Sequence, residues 1–151
     1  KQTGGSFIFP IASVSNIAQG ASALAVFFLT KDKQQRGLAS SASMSALLGI
    51  TEPAMFGINL KLKFPFIASM IGSAVASVYL GLTHVLAVSL GSNSVLGFIS
   101  IATNAIPAFL ISMVIAFVVS FSLTYVYGRR QEVSDLLRED DTDAGETVVA
   151  D

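Results

Sequence analysis

Cysteine and tryptophan are absent from the 151 residues, histidine occurs once, and only 13% of positions are charged against 52% hydrophobic. Without cysteine there are no disulfides, thiolate nucleophiles or thiolate-bound metals in this chain. One histidine leaves no Ser/His/Asp arrangement and no metal-ligand spacing. No glycine-rich phosphate loop or nucleotide fingerprint is present either, so no catalytic residue, cofactor or metal is expected within these residues. A charged fraction about half the ~25% usual for soluble domains argues against a water-soluble globule, and no basic surface is available for nucleic acid.

What is present is apolar chain in long blocks. Residues 2–30 carry no charge, residues 37–63 carry only Glu52, Lys61 and Lys63, and residues 64–128 carry none. A membrane span needs about 20 mostly apolar residues, so these blocks predict an all-α, polytopic membrane segment. Three spans are expected, at about 7–30, 66–90 and 106–127. The opening Lys1-Gln2-Thr3-Gly4-Gly5 has no signal-peptide pattern and reads as part of a longer protein.

Between the first two spans, residues 37–59 read GLASSASMSALLGITEPAMFGIN, with Gly49, Pro53 and Gly57 interrupting the middle. A straight lipid-facing helix is not built this way. Basic residues in short loops mark the cytoplasmic side, which places Lys31, Lys33 and Arg36 inside. If residues 38–60 crossed the membrane, Lys61 and Lys63 would lie outside. A re-entrant hairpin keeps them inside, and the next two spans then return Arg129 and Arg130 to the same face. Residues 91–104 are expected to form an outer loop or a second shallow re-entrant piece. After residue 130 the composition turns acidic, with eight acidic residues and only Arg138 basic in 131–151. The expected organisation is a membrane domain, 1–130, followed by a solvated cytoplasmic linker with a short helical start, 131–151.

Glu52 is the most informative residue. A carboxylate between two apolar runs is costly, about 2.5–3.5 kcal/mol at the centre of a spanning helix. Broken backbone at membrane depth is tolerated where it is packed in protein or lines a wet cavity. There Glu52 can accept hydrogen bonds from ligand hydroxyls, with Thr51 adding more. The alternative is a structural cap for the helix beginning at Pro53, and a cation supplied by other sequence is a third reading. Asn16 and Gln19 share a helix face and serve either as polar glue or as cavity lining. His84, inside the second expected span, reads as an interhelical hydrogen-bonding residue.

The strings FPIASVSNIAQGASALAVFF at 9–28 and GITEPAMFGINLKLKFPF at 49–66 resemble the C-terminal half of the membrane IIC domain of the bacterial phosphoenolpyruvate-dependent sugar phosphotransferase system. Within its glucose superfamily the pattern is most similar to sucrose permeases, then trehalose permeases. The resemblance implies a multi-pass protein of the bacterial cell membrane that binds a disaccharide at mid-membrane. Thr51 and Glu52 would face the sugar from a re-entrant tip. Phosphate would come from a phosphocysteine on a IIB domain, recharged by a phosphohistidine on IIA, so those residues lie outside this chain. A homodimer through the full IIC and a IIA domain beyond the acidic tail are further implications. The rival is a secondary transporter in which Glu52 binds a proton or cation.

Overall fold

The computed structural model describes residues 8–31, 33–85 and 105–147, with side chains as far as residue 131. All regular structure among them is helical: α1 (Ile8–Leu29), α2 (Lys33–Leu47), α3 (Glu52–Ala54), a π-helical turn (Met55–Asn59), α4 (Leu60–Leu62), α5 (Phe64–Leu82) and α6 (Ile106–Thr147). Three helices are long and apolar enough to cross a membrane: Ile8–Leu29, Phe64–Leu82 and Ile106–Gln131. The chain is thus a multi-pass membrane segment, as its charge distribution predicts.

The first span is the centre of the bundle. Within its most apolar stretch 56% of residues are buried, against 33% for α5 and 28% for the spanning part of α6. It packs on α2, α5, α6 and the π turn. The outer spans instead present Ile67, Ile71, Val75, Val78 and Leu82 of α5, and Leu110, Val114, Val118 and Val126 of α6, as exposed apolar side chains. Water would not tolerate such faces, which suit lipid or further membrane protein. The buried cluster between the spans contains Val14, Ile17, Leu80, Phe109 and Met113.

Small residues set the helix spacing. Where α5 meets α6, a Cβ on Gly72 would collide with the Ser120 hydroxyl and lie 3.1 Å from Ser120 Cβ and from the Ala116 carbonyl oxygen. Where α1 meets α2, a Cβ on Gly20 would lie 3.1 Å from Leu47 Cδ2 and 3.3 Å from the Ser43 carbonyl oxygen. Packing in lipid relies on such close backbone approach, since burying apolar surface among apolar tails brings little gain.

The hairpin predicted between the first two spans is present. Its descending arm, α2, stops at a glycine-terminated motif: Gly49 has φ 99°, its N–H donates to the Ala46 carbonyl at 3.0 Å, and the Ile50 N–H donates to the Ser45 carbonyl at 2.9 Å. This paired closure of the final carbonyls needs a left-handed residue, which glycine supplies without Cβ strain. The return arm runs from Glu52 to Leu62, and the chain reverses again at one residue, Lys63, with φ 64° and ψ −53°. Lys63 then begins α5, its carbonyl accepting from the Ile67 N–H at 3.2 Å.

The reversal brings the segments beside the three basic clusters to one end of the bundle. Lys31, Gln35, Leu62, Phe64, Gly128 and Gln131 line one recess there. Phe117, Phe121 and Tyr125 form a stacked ladder leading to this end. Arg129 continues it, its guanidinium 5.4 Å from the Tyr125 ring centre and donating to the phenol oxygen at 3.0 Å. Arg36 lies 4.8 Å from the Phe27 ring centre and fastens the start of α2 to α1.

Two expectations are corrected. The second span ends at Leu82, well before residue 90, and His84 lies exposed beyond it rather than within the membrane helix. The cause is a second paired helix stop. The His84 N–H donates to the Gly81 carbonyl and the Val85 N–H to the Leu80 carbonyl, both at 3.3 Å, while Leu80 and Val85 share the buried core. His84 occupies the left-handed position, φ 51°, which histidine enters more readily than most residues. The second departure is that backbone helix continues through the acidic segment to Thr147, beyond the short helical start expected of it. Residues 91–104, expected as an outer loop or shallow re-entrant piece, lie outside the described residues.

Candidate functional site

The site is built where the hairpin docks on the middle of α1. Two consecutive α1 carbonyls receive its two arms. The Ser43 hydroxyl of α2 donates to the Gly20 carbonyl at 2.8 Å, and the Asn59 side-chain amide donates to the Gln19 carbonyl at 3.2 Å. Asn59 closes the π turn and is fully buried. Between the arms and α1, Ala23, Val26, Ala39, Ala42, Ala46, Ala54 and Ile58 form a second buried cluster. Small side chains let the arms lie close to α1, and π turns, rare in general, concentrate at functional sites.

Docking fixes the tip. Thr51 is half-buried at the start of the return arm, and its hydroxyl makes no capping bond. Glu52 follows as the first helical residue, with Pro53 next. Its carboxylate is exposed and pairs with no described residue. It stands in the first turn, where the free N–H groups and the helix dipole favour a negative charge. The acceptor oxygens are thus left available for a ligand.

One turn beyond Glu52, Met55 forms part of a cleft of about 420 Å³ between the return arm, α1 and α5. Ser15 and Gln19 line it from α1, and Phe66, Ser69, Met70 and Ser73 from α5. Gln19 Oε1 itself is buried from solvent and has no hydrogen-bond partner among the described residues. Ser69 donates its own hydroxyl hydrogen to the Phe66 carbonyl at 2.7 Å. The lining is uncharged and its exposed surface mainly apolar, from Met55, Phe66, Met70 and Ala74, with the serines and Gln19 supplying the smaller polar part. No cluster of three or more His, Cys, Asp or Glu residues that could hold a metal ion is found among the described residues.

Of the four residues singled out from sequence, the structure puts Thr51 and Glu52 together at the tip and Gln19 in the adjoining cleft. Asn16 is half-buried on α1 but does not line that cleft. Sequence reasoning did not single out Ser15, Ser69, Ser73 or Asn59. Asn59 had a signal, as a lone amide between Ile58 and Leu60. The serines had none, because serine also serves as a small packing residue throughout this chain.

Comparison with known proteins follows the same contour. Residues 2–73 match the family described as Phosphotransferase system, EIIC. Over 129 residues the chain is 61% identical to the PTS system sucrose-specific EIIBCA component of Pediococcus pentosaceus, covering 85% of this chain and 20% of that protein. It is 50% identical over 126 residues to the PTS system sucrose-specific EIIBC component of Vibrio alginolyticus, covering 83% of this chain and 26% of that protein. It is 48% identical over 126 residues to the PTS system trehalose-specific EIIBC component of Bacillus subtilis, with coverages of 83% and 27%. The chain therefore spans about a fifth to a quarter of the length of these relatives. No solved structure matches it.

Proposed function

We propose, starting from a chain that is similar to the EIIC membrane component of the phosphotransferase system, that it forms the sugar-binding and translocating part of a phosphoenolpyruvate-dependent permease. Sucrose is the first substrate proposed, with trehalose or another glucoside next. The observation that carries this reading is Glu52: a carboxylate without a partner among the described residues, at the tip of a hairpin pinned to the middle of a membrane helix.

Carboxylate oxygens accept hydrogen bonds from hydroxyls, and charge-assisted bonds of this type are about twice as strong as neutral ones. Glu52 would hold the acceptor hydroxyl of the sugar, and Thr51 would add a second polar contact. Gln19 would bind from α1, and Asn16 would support that helix face. Attack on the phosphate needs the hydroxyl aligned with a phosphocysteine brought by a IIB domain, itself recharged by IIA. This chain contributes positioning and the acceptor site, while the phosphorylated residues lie on those partners. A IIA or other cytoplasmic domain beyond residues 131–151, and a homodimer through the full IIC, belong to the same proposal. A unit of this kind can move as a body against a scaffold to expose the sugar alternately to each side.

The test is sugar phosphorylation by membranes containing the full-length protein, energised by phosphoenolpyruvate and the general phosphotransfer proteins, across sucrose, trehalose, maltose and glucose. Phosphoenolpyruvate-dependent product with one preferred sugar supports the proposal. No phosphorylation, together with uptake that collapses with the ion gradient, would favour a secondary transporter with Glu52 as a proton or cation site.

A further inference from the structure

We infer that the seam between α5 and α6, at the basic end of the bundle, holds one anionic phospholipid, with an acyl chain in an apolar groove and the phosphate between Lys63 and Arg130. The inference draws on the membrane position of the two spans and is independent of what the hairpin binds.

The groove is narrow and faces outward. Phe64, Ile67, Ala68 and Ile71 of α5 and Leu123 and Tyr127 of α6 enclose about 180 Å³. The α5 positions are spaced by three and four, so they form one stripe about 10 Å long that begins at the first residue of the helix. Ala68 is buried and forms the floor, while Ile67, Ile71, Leu123 and Tyr127 keep exposed surface at the rim. The groove therefore opens toward hydrocarbon and not into the bundle. An α-helix with its side chains is about 10–12 Å across and could lie over such a slot but not within it, whereas a single acyl chain can enter.

Charge stands at the mouth of the groove. Lys63 immediately precedes Phe64, and Arg130 lies three residues beyond Tyr127 and seven beyond Leu123, on the same stripe of α6. Leu62 and Phe64 meet Gly128 and Gln131 across the adjoining recess, so the backbone carrying Lys63 stands opposite the backbone carrying Arg130. Both side chains are exposed. Arg36 and Arg129 are engaged with the Phe27 and Tyr125 rings, whereas Lys63 and Arg130 pair with no described residue. Tyr127, 64% exposed, brings a phenol to the same level, where amphipathic rings settle among lipid headgroups. Two unpaired cations above an apolar slot match a ligand that joins a negative headgroup to an acyl chain. One tail replacing another in the slot gains little, so selection falls on the headgroup, about fivefold for each cation near an anionic surface.

The experiment counts lipids bound to the full-length protein in detergent by native mass spectrometry, comparing phosphatidylglycerol with phosphatidylcholine of the same chains. Wild type is expected to retain one phosphatidylglycerol about tenfold more tightly than phosphatidylcholine. Lys63→Gln and Arg130→Gln should each weaken phosphatidylglycerol about fivefold, and together about 25-fold, with phosphatidylcholine unchanged within twofold. Lys33→Gln removes a charge from the same end of the bundle but from α2, and should leave binding within twofold. Leu123→Trp fills the slot from its exposed rim and should weaken phosphatidylglycerol about fivefold or more. Glycerophosphate, which has the headgroup phosphate and no tails, should not displace the lipid. If Lys63→Gln fails to fold at its corner, Arg130→Gln and Leu123→Trp decide. Equal retention of the two lipids, variants that all bind within twofold of wild type, or a loss in Lys33→Gln as large as in Arg130→Gln would overturn the site. So would displacement by glycerophosphate, which would leave an anion site without a groove, or a seam that takes no lipid because another segment of the full-length protein covers it.

Discussion

The α5–α6 contact at Gly72 can be broken by one methyl group. In Gly72→Ala the new Cβ meets the Ser120 hydroxyl, which can rotate away. It also lies 3.1 Å from Ser120 Cβ and from the Ala116 carbonyl oxygen, and both of these are fixed to the backbone of α6. Carbon atoms in contact prefer about 3.5–4.0 Å, so α5 must retreat by about 0.4 Å along a packed interface. Overpacking of this kind costs about 1–3 kcal/mol. Alanine in place of glycine returns about 0.8–1.0 kcal/mol of helix propensity. The mid-range balance is a net loss of about 1 kcal/mol, or roughly fivefold in the folding equilibrium. Ser120→Ala alone removes a buried hydroxyl that lacks a partner, and is expected to be neutral or stabilising. Ser120→Gly combined with Gly72→Ala removes both the hydroxyl and the Cβ and should recover most of the loss. The measurement is a double-mutant cycle on the thermal unfolding of the full-length protein in detergent, where contacting pairs couple by about 0.5–3 kcal/mol. Gly72→Ala behaving as on a lone helix, more stable than wild type and uncoupled from Ser120, would refute the close-crossing argument.

Four other outcomes are expected. Glu52→Gln keeps the shape of the side chain but loses its charge, and should lower phosphoenolpyruvate-dependent phosphorylation at least tenfold at unchanged protein abundance; unchanged sugar binding and phosphorylation would remove Glu52 from the site. His84→Gly relieves a left-handed residue bearing a Cβ, a strain of about 1–2 kcal/mol, and should raise the melting temperature while leaving sugar phosphorylation intact. Lys63→Gly eases the one-residue corner in the same sense, whereas the β-branched Lys63→Val should destabilise, and equal melting temperatures for the two would contradict the observed φ. Ser43→Ala unties α2 from the Gly20 carbonyl and should cost about 0.6–1.5 kcal/mol, read as faster proteolysis near Gly49.

Charge was the most legible part of the fold. Lys31, Lys61 and Arg129 lie on separate sequence blocks, yet one requirement, that all face the same side, predicted the hairpin and the direction of each span. Gly49 and Pro53 located the tip, and with it Glu52. Less legible were events that leave hydropathy unchanged. Apolar sequence continues past His84, so nothing in its pattern marked Leu82 as the helix end; that depends on Val85 folding back against Leu80. Lys63 itself carries no turn signature, although Pro65 two residues on marks the first turn of α5. Ser69, buried, and Ser73, half-buried, read in sequence like any packing serine, and their place at the cleft is settled by neighbouring helices. Asn16 shows the same dependence in reverse, because a shared sequence face with Gln19 did not place it in the same cleft.

The attachment of the hairpin to α1 divides labour within a single residue. Asn59 grips the main-chain carbonyl of Gln19, while the side chain of Gln19 belongs to the cleft. Ser43 likewise grips the carbonyl of Gly20 rather than a side chain. The anchor is therefore blind to what amino acid occupies position 19. Mutation at position 19 can change the side chain at the cleft while the hairpin stays fastened and Glu52 keeps its place at the tip.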